Sequence, residues 1–146
     1  MTELKVKRLN NLAKIPTRGS DKAAGWDLYA ASSYDIEIKP HTTVKIGTGL
    51  AIEPPAGTFV EIFPRSGLAT KKGLRPANTP GVCDEDYRGE YMVALHNDTD
   101  QPQIVKAGER IAQMILRRYE EITFVEVDEL SDTERGEGGF GSTGRV

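Results

Sequence analysis

Apolar and polar residues alternate over short runs along most of this chain, and turn residues separate the runs. Leu4 to Leu9 alternates and predicts a first strand, as does Tyr34 to Ile38, which Lys39-Pro40-His41 ends. Ala23 to Ala30 is apolar apart from Asp27. Val44 to Ile52 holds two glycines and predicts one kinked strand or two short ones. Pro54 to Gly57 is turn chemistry, and Thr58 to Phe63 follows as a strand. Ser66 to Gly73 is the best candidate for a short helix, with Ser66 as N-cap and Gly73 as its stop. Gln103 to Val105 extends. In Arg110 to Tyr119, Ile111, Met114 and Ile115 fit helical spacing, but the run is apolar on both strand faces. Its neighbours are short strands at regular spacing, so a buried strand is predicted. Ile122 to Val127 reads as the last strand. Many short strands with little helix predict an all-β sandwich, jelly roll or barrel.

The chain is organised around Asn78 to Tyr91. Pro80-Gly81 is a turn, and Gly89 offers a second point where positive φ costs nothing. Between them lie Asp84, Glu85, Asp86, Tyr87 and Arg88. The apolar run Tyr91 to Leu95 follows, so the stretch predicts a hairpin that holds carboxylates and a ring at its tip while feeding the core. Leu130 to Val146 is polar and glycine-rich, too poor in apolar residues for a core, and reads as a tail that is mobile without ligand. The domain reading is therefore a β-domain over 1–129 and an arm over 130–146.

Length and charge narrow the function. With 146 residues, one domain is expected. At 16.0 kDa a compact fold exposes roughly 7,400 Å². Hydrophobic content is 38% and aromatic content 7%, a modest apolar supply that an interface with other copies would supplement. The net charge of −3 gives no basic field for nucleic acid. Cys83 is the only cysteine, which excludes intrachain disulfides and cysteine-based zinc sites. No run is long enough for a signal core or a membrane span, so a cytoplasmic protein without membrane partners is expected. Asn97-Asp98-Thr99 fits a glycosylation sequon but reads as a plain turn.

Two motif matches fail on context. Gly136 to Gly141 spells G-x-G-x-x-G, but a dinucleotide site needs a helix after it and the sequence ends five residues later. Asp84 to Gly89 begins like a calcium loop, yet Arg88 stands where an oxygen ligand is required. His41 and His96 lie in turn or strand-end contexts and read as solvated or structural.

Five patches hold together: Ala24 to Ala30, Pro64 to Ala69, Asn78 with Gly81 to Glu90, Gly108 to Met114, and Arg135 to Gly144. Their order and spacing resemble those of the trimeric dUTP pyrophosphatases (dUTPases), over essentially the whole chain. The resemblance implies a jelly-roll subunit in a homotrimer with active sites at subunit interfaces. It also implies hydrolysis of dUTP to dUMP and pyrophosphate, assisted by Mg²⁺, which would limit uracil in DNA and supply dUMP for dTMP synthesis.

By the same resemblance, Asp84 activates the water that attacks the α-phosphorus, while Glu85 and Asp86 are turn or surface acids. Tyr87 lies against the deoxyribose and leaves no room for a 2′-hydroxyl. The backbone from Gly81 and Val82 onward reads the uracil edge, with Asn78 in support through water. Ser66 and Arg65, with Gly67, face the phosphates, and Ser66 stabilises the leaving oxygen. Gln113 donates to a phosphate oxygen, and Met92 completes the base-side set. Asp27 acts near the metal only through water, the ion otherwise being held by substrate phosphates. In the arm, Phe140 stacks on uracil, Arg135 reaches the γ-phosphate, and Gly141, Ser142 and Thr143 close on the ligand. Cys83 stands where an aliphatic residue is usual and is expected to pack, leaving open a slightly looser hairpin or a sensitivity to thiol reagents. The competing readings are a dCTP deaminase relative and a non-catalytic nucleotide sensor on the same fold. The sensor is expected to have lost Asp84, Gln113 or Arg135.

Overall fold

The computed structural model describes Met1–Val146. It contains strands β1 (Lys5–Arg8), β2 (Trp26–Tyr29), β3 (Ile36–Ile38), β4 (Thr43–Glu53) and β5 (Thr58–Phe63), then helix α1 (Ser66–Lys72). Strands β6 (Leu74–Pro76), β7 (Gly81–Cys83), β8 (Glu90–Asn97), β9 (Gln103–Val105) and β10 (Arg110–Arg118) follow. One sheet has the order β1-β4-β8-β6, a second β2-β10-β5-β7, and β3 pairs with β9. This is the expected all-β, jelly-roll-like architecture with a single short helix.

Period-2 patterning does most of the placement. In β5, Thr58, Val60 and Ile62 are buried while Phe59, Glu61 and Phe63 are half-buried. Tyr91, Val93 and Leu95 of β8 bury the same way between the sheets. They join Leu28, Leu50, Ile52, Val60, Leu74 and Ile111 in one core. The two-glycine run forms a single kinked strand: β4 shifts register against β8 between Gly47 and Ala51, and Gly49 sits at φ 67°. Asn97 is fully buried, and its side chain is spent inside the fold. Its Nδ2 donates to the Ile38 carbonyl (3.0 Å) and the Gln101 carbonyl (2.7 Å), while its Oδ1 accepts from the Thr99 amide (2.9 Å). The sequon-like tripeptide is thus a structural turn.

Four local expectations are corrected. The central stretch is not a hairpin: β7 pairs with β5 and β8 pairs with β4 and β6, so residues 84–89 cross from one sheet to the other. Gly89 is not in the positive-φ region. It is needed because a Cβ there would lie 2.5 Å from the Tyr87 hydroxyl and 2.6 Å from its ring. Ser66 is the first helical residue; Arg65 occupies the cap and makes no side-chain capping bond. Gly73 does end the helix, at φ 64°.

The fourth correction concerns 122–127, which forms no strand. Both edges of β10 are already taken by β2 and β5, so the chain cannot turn back beside it. Phe124 is 90% and Val125 77% exposed. The total surface of 10,500 Å² exceeds by a wide margin the roughly 7,400 Å² of a compact chain this size. The excess reflects residues 119–146, nearly all of them exposed.

Gly89→Ala is expected to cost about 1–3 kcal/mol by forcing the Tyr87 ring aside. Gly19→Ala, where an added Cβ meets nothing within 4 Å, should stay within about 0.5 kcal/mol. Urea unfolding of the two variants checks the difference.

Candidate active site

The sheet order β2-β10-β5-β7 sets four of the five patches side by side. Strand β10 is central, and its Gln113 pairs with Asp27 on one side and Phe63 on the other. Asp27 is an acid in a buried strand, so its charge needs partners. It has two: Arg65 Nε donates to Oδ1 at 2.9 Å, and Arg110 Nη1 approaches Oδ2 at 3.4 Å. Arg65 bonds Asp27 through Nε, and its terminal nitrogens make no side-chain hydrogen bond. Gln113 Nε2 donates to the Pro64 carbonyl at 2.9 Å. Its side chain passes so close over Gly25 that a Cβ there would lie 2.1 Å from Oε1. Gly25 is therefore a clearance for Gln113. Next to Asp27, Trp26 lies under the Arg18 guanidinium, 4.7 Å from the ring centre. Ser66 and Gly67 are exposed at the start of α1, just beyond Phe63. This end of the sheet is a cationic and amide-lined surface suited to phosphate.

Asp84 lies at the other end. Gly81 pairs with Ile62 and Cys83 with Val60, so β7 runs away from the Phe63 end. The three steps from Val60 to Phe63 span roughly 10 Å of strand. Asp84 lies beyond that span in one direction and Ser66 beyond it in the other. Exposed Asp84 lines an open cleft of about 770 Å³ with Phe59, Val82, Glu85, Asp86, Arg88 and Tyr119. The Tyr87 amide donates to the Asp84 carbonyl (3.1 Å), and its hydroxyl donates to the Glu90 carbonyl (2.8 Å). Its ring stacks on Tyr91 with centroids 6.1 Å apart. Asn78 and Met92 are exposed, and Asn78 lies beside Gly81.

The arm stays apart from both groups. Arg135 Nε donates to the Gly138 carbonyl (2.7 Å), and Ser142 and Gly144 amides close turns on Gly139 and Gly141. Phe140, Gly141, Ser142 and Thr143 are exposed. Among the expected site residues, one chain thus brings together Asp27, Arg65 and Gln113, with Ser66 and Gly67 close by. It separates them from Asp84 and Tyr87, and both from the arm. His41 bonds Asp100 (2.7 Å) and His96 bonds Thr43 (2.9 Å), outside these groups. Arg110 joins Arg65 at Asp27, a role with no local signal in the sequence beyond its place in the fourth patch.

Cys83 is half-buried, beside the Tyr91 hydroxyl. That hydroxyl is buried and meets no oxygen or nitrogen at hydrogen-bonding distance, so the weakly polar thiol is its neighbour. Burial pushes the thiol up to about 11, with the Asp84 charge adding to the shift. The expected sensitivity to thiol reagents is therefore not supported.

A nucleotide-handling β-protein is what this sheet end and loop define, and comparison with known proteins fixes the class. The sequence model of the dUTPase family matches residues 11–144. A deoxyuridine 5′-triphosphate nucleotidohydrolase of Nautilia profundicola is 50% identical over 143 residues, covering 98% of this chain and 99% of the relative. One from Rickettsia bellii is 46% identical over 145 residues, covering 99% and 97%. Among solved structures, a Staphylococcus bacteriophage 80alpha dUTPase G164S mutant with dUpNHpp superposes with a TM-score of 0.88 at 26% identity. It covers 99% of this chain and 100% of that one. The chain belongs to the dUTPase family.

Because thiolate is the reactive form, Ellman reagent at pH 8 is expected to label Cys83 far more slowly than free cysteine. The rate should climb as pH rises toward 11. Rapid labelling of the folded protein at pH 8 would contradict the burial argument.

Proposed function

We infer that the protein is a dUTP diphosphatase that hydrolyses dUTP to dUMP and pyrophosphate by water attack at the α-phosphorus. The observation that carries this is the placement of four family patches on one sheet, with Gln113 locked between Asp27 and the Pro64-Arg65 turn. Removing dUTP would limit uracil incorporation into DNA, and the dUMP formed would feed dTMP synthesis.

The chemistry divides among groups already described. Asp84 takes a proton from water as the water oxygen bonds to the α-phosphorus. The bond from phosphorus to the α–β bridging oxygen breaks, and charge grows on pyrophosphate. Ser66, the free nitrogens of Arg65, Gln113 and Arg135 stabilise that charge. Tyr87 bounds the sugar and excludes a 2′-hydroxyl. The main chain at Gly81 and Val82, with Asn78 and Met92, selects uracil by fixed donors and acceptors.

No three His, Cys, Asp or Glu side chains come together as a metal cage. Both Asp27 oxygens already face guanidinium groups. This donor set would suit an Mg²⁺ held chiefly by the substrate's phosphates, with Asp27 acting on it only through water. When bound, the ion neutralises phosphate charge.

A general base must lie within hydrogen-bond reach of its water. In one chain Asp84 stands level with Phe59 near one end of β5 and Ser66 lies beyond the other end, so a complete site draws on more than one copy. The exposed Ile122, Phe124, Val125 and Val127 supply an apolar strip for such contacts. A homotrimer with sites at subunit interfaces meets both needs. The arm from residue 130 closes over a site of the assembly, with Phe140 on uracil and Ser142, Thr143 and the flexible Gly141 around the phosphates. No helix of the chain is long and apolar enough to cross a membrane, and a cytoplasmic nucleotide pool would be its substrate source. A sensor reading is disfavoured because Asp84, Gln113 and Arg135 are all retained.

Incubation with each dNTP and with UTP, in Mg²⁺, should release pyrophosphate from dUTP alone. Asp84→Asn should fold and bind but lose about 10²–10⁴-fold in turnover. Removal of residues after Glu134 should abolish activity while sedimentation still reports a trimer. Normal turnover in Asp84→Asn, or equal release from dCTP, overturns these assignments.

A further inference from the structure

Glu85 differs from the other acids of the Asp84 loop in where its side chain goes. Its carboxylate accepts from the Gly57 amide at 2.9 Å and from the Tyr119 hydroxyl. Gly57 stands at φ 76° in the turn between β4 and β5, and Tyr119 follows the last residue of β10. The Tyr119 amide in turn donates to the Gly57 carbonyl at 3.3 Å. Glu85, Gly57 and Tyr119 thus form a closed ring of three bonds, and the Tyr119 ring packs edge-on against Phe59, centroids 6.3 Å apart.

Other anchors of the loop do not fix it to the sheet as well. The Tyr87 amide bonds the Asp84 carbonyl, Arg88 Nη1 bonds the Glu85 carbonyl at 2.6 Å, and the Tyr87 hydroxyl bonds the Glu90 carbonyl. These stay within residues 84–90. Arg88 Nη2 reaches Glu53 only at 3.4 Å. Glu85 is therefore the close side-chain tie between the loop and the rest of the fold. Donation from the Tyr119 hydroxyl, then from Gly57, holds its carboxyl below the usual range, and the same bond pushes Tyr119 up to about 12.

We propose that Glu85 is a positioning residue: it latches the Asp84 loop to the Gly57 turn and, through Tyr119, to the root of the C-terminal arm. The role rests on the dUTP-hydrolysis reading above. Because the peptide of Glu85 follows Asp84 directly, the latch sets the aim of the Asp84 carboxylate. Because Tyr119 is the first residue after β10, it also ties the loop to the start of the segment that leads to the arm. Loss of the latch misdirects the base without removing a substrate contact, so kcat falls while KM holds.

The test compares Glu85→Ala, Glu85→Gln, Tyr119→Phe and the double variant E85A/Y119F in the full chain, by dUTP kinetics and amide hydrogen exchange. A kcat loss of about tenfold with KM within about twofold is expected for Glu85→Ala. Glu85→Gln keeps an acceptor oxygen and should recover most of the rate. E85A/Y119F should be no slower than Glu85→Ala, since both changes open one latch. Exchange of the Gly57 amide should quicken in Glu85→Ala and not in Glu85→Gln. An unchanged kcat with unchanged Gly57 protection in Glu85→Ala overturns the proposal, as does a loss in Glu85→Gln as large as in Glu85→Ala. Wild-type protein inert toward dUTP would count against the enzymatic reading instead, and Gly57 exchange would still decide whether the latch exists.

Discussion

A single buried carboxylate constrains the functional sheet. Asp27 lies beside buried Leu28, Tyr29 and Ala30, and Arg65 and Arg110 pair with its two carboxylate oxygens. Arg65 comes from the turn after β5 and Arg110 from the start of β10, so the pairing fixes three chain segments against one another. A one-residue slip of β2 would turn the carboxylate to the other face and leave both guanidinium groups unmatched. The same register puts Gln113 beside Asp27, over the space left by Gly25 and under the Pro64 carbonyl. Charge pairing thus fixes the position of a neutral amide whose work is elsewhere.

The second organising feature is the crossover at 84–89. A hairpin would have kept Asp84 and Tyr87 on one sheet. Here β7 closes the edge of one sheet and β8 enters the middle of the other, so the loop spans the layers. That span explains the density of bonds around it, the packing of Tyr87 on Tyr91, and the bare Gly89 beneath the Tyr87 ring. It also explains why Asp84 stands away from Ser66 and Gln113 although all three sit on or beside the same sheet.

Much of the fold was legible from patterning. Thr58 to Phe63 and the apolar run Tyr91 to Leu95 read as strands, and each buries alternate residues against the core, while Gly73 marks a helix end that a left-handed residue closes. Arg110 to Tyr119 was rightly placed as a strand by its neighbours rather than by its own period. Leu74 to Pro76 was not seen, since three residues ending in proline carry no periodic signal. Ile122 to Val127 has strand composition but no partner within its own chain, so composition alone misplaced it. The candidate site residues stand in motifs that the sequence shows, while their separation in one chain does not show there. Antiparallel order is a non-local property, and nothing near Asp84 in sequence says that β7 runs away from Ser66. Glu85 was missed for the same reason, its partners lying 28 and 34 residues away.

The placement of Asp84 and Ser66 toward opposite ends of β5 has a genetic corollary. If every catalytic centre is pooled from several chains, a faulty copy spoils neighbours as well as itself. One damaged allele in a mixed population would then depress output by more than its share. Conversely, two damaged alleles with lesions at opposite ends of that strand would partly mend each other, because some mixed centres would inherit only sound parts.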